Sequence, residues 1–214
     1  MNGPGNFFEK TVEREGGLSS KTLIVAVTGA SGALYAKLLL RHLWEQGVPV
    51  HLIPSGAGKL VYQLEVGTPL EEDLPPTVRC FDNKDFSAPP ASGSVSYHGM
   101  VIVPCTMGTL AAVANGLSLN LIHRAADVCL KERRPLVVVP RETPLNRVHL
   151  ANMLRLAEAG GIILPAMPGF YHHPRSLEDV GRFIVARILD QLGFPQDLVP
   201  PWNPEPEIFP GIAS

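Results

Sequence analysis

The sequence predicts a single α/β domain: a doubly wound, mostly parallel sheet flanked by helices, of Rossmann-like or flavodoxin-like type. Three observations predict it. Short apolar, β-branched runs alternate with longer stretches of helical periodicity from residue 22 to residue 192. The runs at 100–103, 136–139 and 161–164 are apolar on both faces, as parallel strands covered by helices on both sides are. The first run ends in Thr28-Gly29-Ala30-Ser31-Gly32, a tight turn that leads a strand into a helix, as a doubly wound sheet requires.

Taken in order, residues 22–27 form the first strand, and Leu34, Leu38, Leu39 and Leu43 then recur at helical spacing. Gly47 closes that helix, 48–53 reads as a second strand, and 55–65 as a second helix. Further strands are expected at 78–81, 100–103, 136–139 and 161–164. Helices are expected at 109–115, 121–131, 147–159 and 177–192. Three strands run into proline, at Val103-Pro104, Val139-Pro140 and Leu164-Pro165. Proline lacks the N–H that a central ladder needs, so each is expected to end its strand and open a loop. In a parallel sheet those loops leave from the edge that carries the glycine turn, which is where open α/β sheets bind ligands. Loops 29–31, 105–109, 141–143 and 165–174 are thereby expected to meet at one site.

Composition narrows the function. A length of 214 residues suits one domain of roughly 100–200 residues. With 18 basic and 20 acidic side chains and a net charge of −2, the chain lacks the basic footprint of a nucleic-acid binder. No apolar run approaches the roughly 18 residues of a membrane span. Cys80, Cys105 and Cys129 are odd in number and far apart, which suits a reducing, cytoplasmic compartment. Residues 1–20 mix charges with glycine and lack the apolar centre of a secretory signal, so they read as a mobile extension before a domain at 21–195. The proline-rich segment 196–214 reads as a tail over the surface, anchored by Trp202.

The glycine turn at a helix start offers backbone N–H groups and a favourable dipole to a phosphate, and Ser31 adds a hydroxyl. Tight steric packing is the plainer reading of the same turn. Its spacing departs from the GxGxxG fingerprint, and Pro54 and Ser55 stand where an adenosine ribose would need an acid. A mononucleotide such as FMN therefore fits better than NAD. Thr106-Met107-Gly108-Thr109, also opening a helix, suits the flavin ring or its ribityl chain. Arg124, Lys131, Arg141 and Arg187, with Tyr171, lie on or near the expected edge, and buried cations need an anion. Lys131 within Lys131-Glu132-Arg133-Arg134 also fits a solvated surface, whereas Arg141 follows a buried strand. Glu142 serves either as a partner for Arg141 or as a proton carrier. Cys105 reads either as a nucleophile or as a small buried hydrophobe, and Met107 as a packing residue. His172 and His173 come without metal-ligand spacing, so no metal is expected.

These segments, together with Ala88-Pro89-Pro90-Ala91-Ser92-Gly93-Ser94, Asn120-Leu121-Ile122-His123-Arg124, Pro140-Arg141-Glu142-Thr143-Pro144 and Pro165-Ala166-Met167-Pro168-Gly169-Phe170-Tyr171, resemble the flavin prenyltransferases of the UbiX type over residues 21–202. The resemblance implies a metal-independent enzyme that joins a dimethylallyl group, from dimethylallyl monophosphate, to N5 and C6 of reduced FMN. The prenylated FMN would serve a UbiD-type decarboxylase, and the enzyme would assemble as a homododecamer with sites between subunits. The implied FMN contacts are Gly29, Ala30, Ser31, Ser55, Thr106, Met107, Gly108, Thr109 and Arg141. The implied prenyl-phosphate contacts are Arg124, Lys131, Tyr171 and Arg187. Ser31, Glu65, Lys131, Glu142 and Trp202 would carry the chemistry. One departure is Asp85-Phe86-Ser87, where the family often has a tryptophan. An FMN-dependent cysteine decarboxylase of the same fold would want a catalytic histidine near the first helices, where this chain has only His42. A non-catalytic FMN carrier is separated from both by turnover.

Overall fold

Residues 22–202 are described by a computed structural model; the expected extension at 1–20 and the tail beyond Trp202 lie outside them. Six strands form one parallel sheet in the order β3-β2-β1-β4-β5-β6. They are β1 (Leu23–Val27), β2 (Val50–Pro54), β3 (Val78–Cys80), β4 (Gly99–Cys105), β5 (Leu136–Pro140) and β6 (Ile162–Ile163). The helices are α1 (Ala33–Glu45), α2 (Gly56–Val66), α3 (Met107–Ala114), α4 (Leu121–Lys131), α5 (Arg147–Glu158) and α6 (Leu177–Leu192).

Strand alternation makes two cores. Leu23, Val25 and Val27 of β1 face α1 and α6 on one side, while Ile24 and Ala26 face α3 and α4 on the other. The central strands are buried along both faces, as the doubly apolar runs predict. Helix α5 is different: of its twelve residues only Leu156 is buried, and Val148, Leu150 and Leu154 face outward.

Two expectations about strand ends need correction. Pro104 does not end β4, which continues to Cys105; the pairing with β5 shifts register between Ile102 and Cys105, and that irregularity accommodates the missing N–H. Pro140, by contrast, ends β5 as its last residue, as expected. The fourth apolar run shrinks to Ile162–Ile163, a half-buried edge strand, because nothing pairs beyond it. The tail also differs, since among its described residues Val199 is the buried one at 7% exposure while Trp202 stays 60% exposed.

Candidate active site

Strands β1 and β4 are neighbours, yet β1 feeds α1 on one face of the sheet and β4 feeds α3 on the other. Their carboxyl ends therefore splay, and a crevice opens between the glycine turn and the start of α3. Thr28, 2% exposed, spans its floor. Its N–H and its hydroxyl both donate to Pro104 O, at 3.2 and 2.8 Å, and its Oγ1 accepts from Thr106 N–H at 2.8 Å.

The glycines of the turn meet two steric demands. A Cβ on Gly29 would come within 2.6 Å of Ala57 Cβ, so α2 reaches the turn only because residue 29 has no side chain. Gly32 has φ +116°, and it caps α1 without a side chain to offer. The missing cap comes from a distance: Glu65, in the last turn of α2, accepts from Gly32 N–H and Ala33 N–H, both at 2.8 Å. Its carboxylate thus sits where the helix dipole favours an anion.

Burial alone pushes the Glu65 carboxyl up, but hydrogen bonds from the Ser31 hydroxyl and the two N–H groups, with Arg141 nearby, hold it below the ordinary value. The Ser31 hydroxyl expected to serve a phosphate thus stands beside the Glu65 carboxylate. A depressed carboxylate contributes stability that is complete above the unfolded value and is lost as pH falls through the folded one. Glu65→Gln is accordingly expected to lower the unfolding midpoint at neutral pH, with the gap from wild type closing as pH drops below 4.5, the ordinary glutamate value. Thermal unfolding across pH checks this; a gap that persists unchanged at low pH would refute it.

The remaining flavin-side expectations converge on the same crevice. Arg141 Nε donates to Ser31 O at 3.1 Å, and Arg141 N–H donates to Cys105 O at 3.3 Å, which ties the end of β5 to both walls. Ser55 Oγ accepts from Gly58 N–H at 2.9 Å as the cap of α2, so its own O–H stays available to donate. Thr106 caps α3 by accepting from Thr109 N–H at 3.2 Å, and Met107 is buried behind it. Nothing lies within 4 Å of where a Cβ on Gly108 would stand, so that backbone faces open space. Among the described residues, the N–H groups of Gly29, Ala30 and Ser31 have no protein acceptor. Tyr35, which sequence reading passes over, packs its ring under Gly32 and feels both Arg141 and Glu65. Its signal was positional only: it sits one helical turn past Ser31.

Two other expectations resolve locally. Glu142 is exposed and accepts from Thr143 N–H at 2.9 Å, so it pairs with its own loop rather than with Arg141. Cys105 is fully buried, its thiol donates to Thr106 O at 3.3 Å, and burial pushes it up, so it packs and does not act as a nucleophile. Among the described residues, no three His, Cys, Asp or Glu side chains gather as a metal set would.

The cations do not converge within one chain. Tyr171, Arg187 and Trp202 line a groove of about 810 Å³ beside α6, with the Tyr171 and Trp202 rings edge to face at 5.1 Å and Arg187 paired with Asp190. Arg124 and Lys131 lie on α4, across the sheet. Arg124 Nε donates to Ala91 O at 3.0 Å and its Nη1 to Asp127 at 3.0 Å, while Lys131 pairs with Glu132 beside Gly93. Because α4 leads into β5, Lys131 ends up toward the amino edge of the sheet, away from the glycine turn. The expectation that Arg124, Lys131, Arg141 and Arg187 all border the carboxyl edge therefore fails at Lys131, and helices α4 and α6 moreover cover opposite faces.

A family model described as Flavoprotein matches residues 11–189. The flavin prenyltransferase UbiX of Methanothermobacter thermautotrophicus is 51% identical over 186 residues, which cover 86% of this chain and 96% of that protein. Among solved structures, AnUbiX (PadA1) in complex with FMN and dimethylallyl pyrophosphate superposes with TM-score 0.83 at 39% identity, covering 86% of this chain and 98% of its own. A dodecameric FMN-dependent UbiX-like decarboxylase from Escherichia coli O157:H7 superposes with TM-score 0.82 at 40% identity, covering 86% and 100%.

Proposed function

Because the chain belongs to the UbiX family of flavin prenyltransferases, we propose that it transfers a dimethylallyl group from dimethylallyl monophosphate to N5 and C6 of reduced FMN, in a site completed by neighbouring subunits. The observation that carries this reading is the crevice between β1 and β4, bordered by the start of α3 and by the N–H groups of Gly29, Ala30 and Ser31, which among the described residues have no protein acceptor. These groups fit a flavin mononucleotide, and the absence of an acid at Ser55 fits a nucleotide with no second ribose to hold. Gly29, Ala30, Ser31, Ser55, Thr106, Met107, Gly108, Thr109 and Arg141 would bind it. Reduced FMN, when bound, supplies the nucleophilic N5 and C6.

The protein's part is electrostatic. Lys131, Arg124, Tyr171 and Arg187 would neutralise the departing phosphate, a role in which charge-assisted hydrogen bonds strengthen as charge develops. Their separation on one chain makes assembly a requirement, and a dodecamer like that of the Escherichia coli neighbour would bring them together. The ring of Trp202 would wall the allylic cation, since aromatic faces attract cations. Glu142 would carry a proton between flavin C6 and the leaving phosphate, and Glu65 would hold the Ser31 hydroxyl near N5. The product would be released to a UbiD-type decarboxylase in the cytoplasm.

The test is the mass of flavin recovered after anaerobic incubation with reduced FMN and dimethylallyl monophosphate. A gain of one C5H8 unit is expected, and unmodified flavin would overturn the assignment. Parallel incubations with the pyrophosphate identify the preferred donor. Turnover is expected to continue in excess chelator, because side chains supply the cations; activity abolished by chelation and restored only by Mg²⁺ would contradict that.

A further inference from the structure

We propose that Thr28 is a positioning residue for the flavin site: its buried hydroxyl sets the gap between the glycine turn and the start of α3. The inference rests on the reading of this crevice as the flavin site. Pairing between β1 and β4 ends at Ala26 and Ile102, two residues before the crevice opens. Beyond that point Pro104 has no N–H to return to β1, so the only backbone link left is Thr28 N–H to Pro104 O at 3.2 Å. The threonine hydroxyl supplies what the ladder lacks. It accepts from Thr106 N–H and donates to Pro104 O, both at 2.8 Å, and so joins the two walls after the sheet has stopped joining them.

What it joins gives the bond its consequence. The next residue on one side is Gly29, whose backbone lies against α2 with no room for a Cβ. On the other side Thr106 caps α3, so the direction of its N–H fixes how the first turn of that helix is presented. A flavin held by N–H groups on both walls feels any change in their separation, because misplacement by about 1 Å can cost of the order of 10²-fold in rate. No other described hydroxyl bonds to both strand ends.

Thr28→Val keeps the shape and removes both hydroxyl bonds, leaving a half-buried Thr106 N–H without its acceptor. The Kd for FMN is expected to rise about tenfold and kcat at saturating FMN to fall about tenfold, changes of about 1.4 kcal/mol each. The visible circular dichroism of the bound flavin should change as well. Thr28→Ser, which restores the hydroxyl, should return all three to within about threefold of wild type. A merely structural role would lower the unfolding temperature of Thr28→Val but leave kcat and the flavin dichroism at saturation untouched, and that result overturns the proposal. Should Thr28→Val not fold, Thr28→Cys, with weaker and longer bonds, is expected to move the same readouts in the same direction; wild-type values there also overturn it. Failure of the underlying reading shows separately, as wild-type protein that neither binds FMN nor prenylates it.

Discussion

Lys131→Ala and Arg187→Ala are each expected to lower turnover by about 10²- to 10³-fold, the loss of roughly 2–4 kcal/mol of stabilisation that develops with the leaving phosphate. Flavin affinity should stay within a few-fold of wild type, because neither side chain reaches the crevice between β1 and β4. The sharper outcome comes from mixing. Lys131 lies on α4 and Arg187 on α6, on opposite faces of one sheet, so a shared phosphate must take them from different chains. Co-assembling the two inactive variants in equal amounts should then restore roughly one site in four, since each site draws its two residues independently within a symmetric oligomer. Activity that stays at the level of the single variants would mean that both residues act from the same chain, and the phosphate site would have to be redrawn.

Arg141→Ala should act differently, weakening FMN binding by about 10- to 100-fold and lowering turnover with it. Hydrogen bonds to charged groups contribute about 1.5–3 kcal/mol, and this guanidinium donates one to Ser31 O, which leaves its other donors for a ligand. Its loss unfastens the end of β5 from the glycine turn and removes a positive charge beside Glu65. Arg141→Lys should restore little, because an ammonium cannot bridge a carbonyl and a ligand through a planar fork. Titration of FMN fluorescence measures the affinity, and an unchanged Kd in Arg141→Ala would show that the arginine only braces the loop.

Much of the fold was written in local pattern. Helices α4 and α6 begin and end where periodicity places them, because Asn120 and Ser176 cap them and Gly193 closes the second. Helix α3 begins at Met107, two residues earlier than the apolar pattern suggests, since Thr106 supplies a cap the pattern does not weigh. Proline was over-read: a register shift lets Pro104 stay inside β4, and a shift is a property of two strands. The apolar run at 161–164 carries no mark of its place at the sheet edge, for edge and centre differ in neighbours rather than composition. The flavin side of the site was legible because its residues sit at strand ends, and topology gathers strand ends. Glu65 capping α1 across 33 residues, and Thr28 bonding across 76 and 78, leave no local trace. Nor does spacing along the chain say which face of the sheet a helix covers, which is why Arg124 and Lys131 were expected beside Arg187.

The burial of Cys105 has a bearing on what a reduced flavin does when it meets oxygen. Dihydroflavins pass electrons to O₂ and release peroxide, and peroxide attacks thiolates rather than thiols. The thiol nearest the crevice, Cys105, is fully enclosed and keeps its proton, which it gives to Thr106 O, while the exposed thiol, Cys80, stands on β3 at the far edge of the sheet. A catalyst handling an autoxidisable partner thus presents no thiolate where the oxidant is made, and the resistance of its nearby thiol to that by-product is set by packing under the strand end.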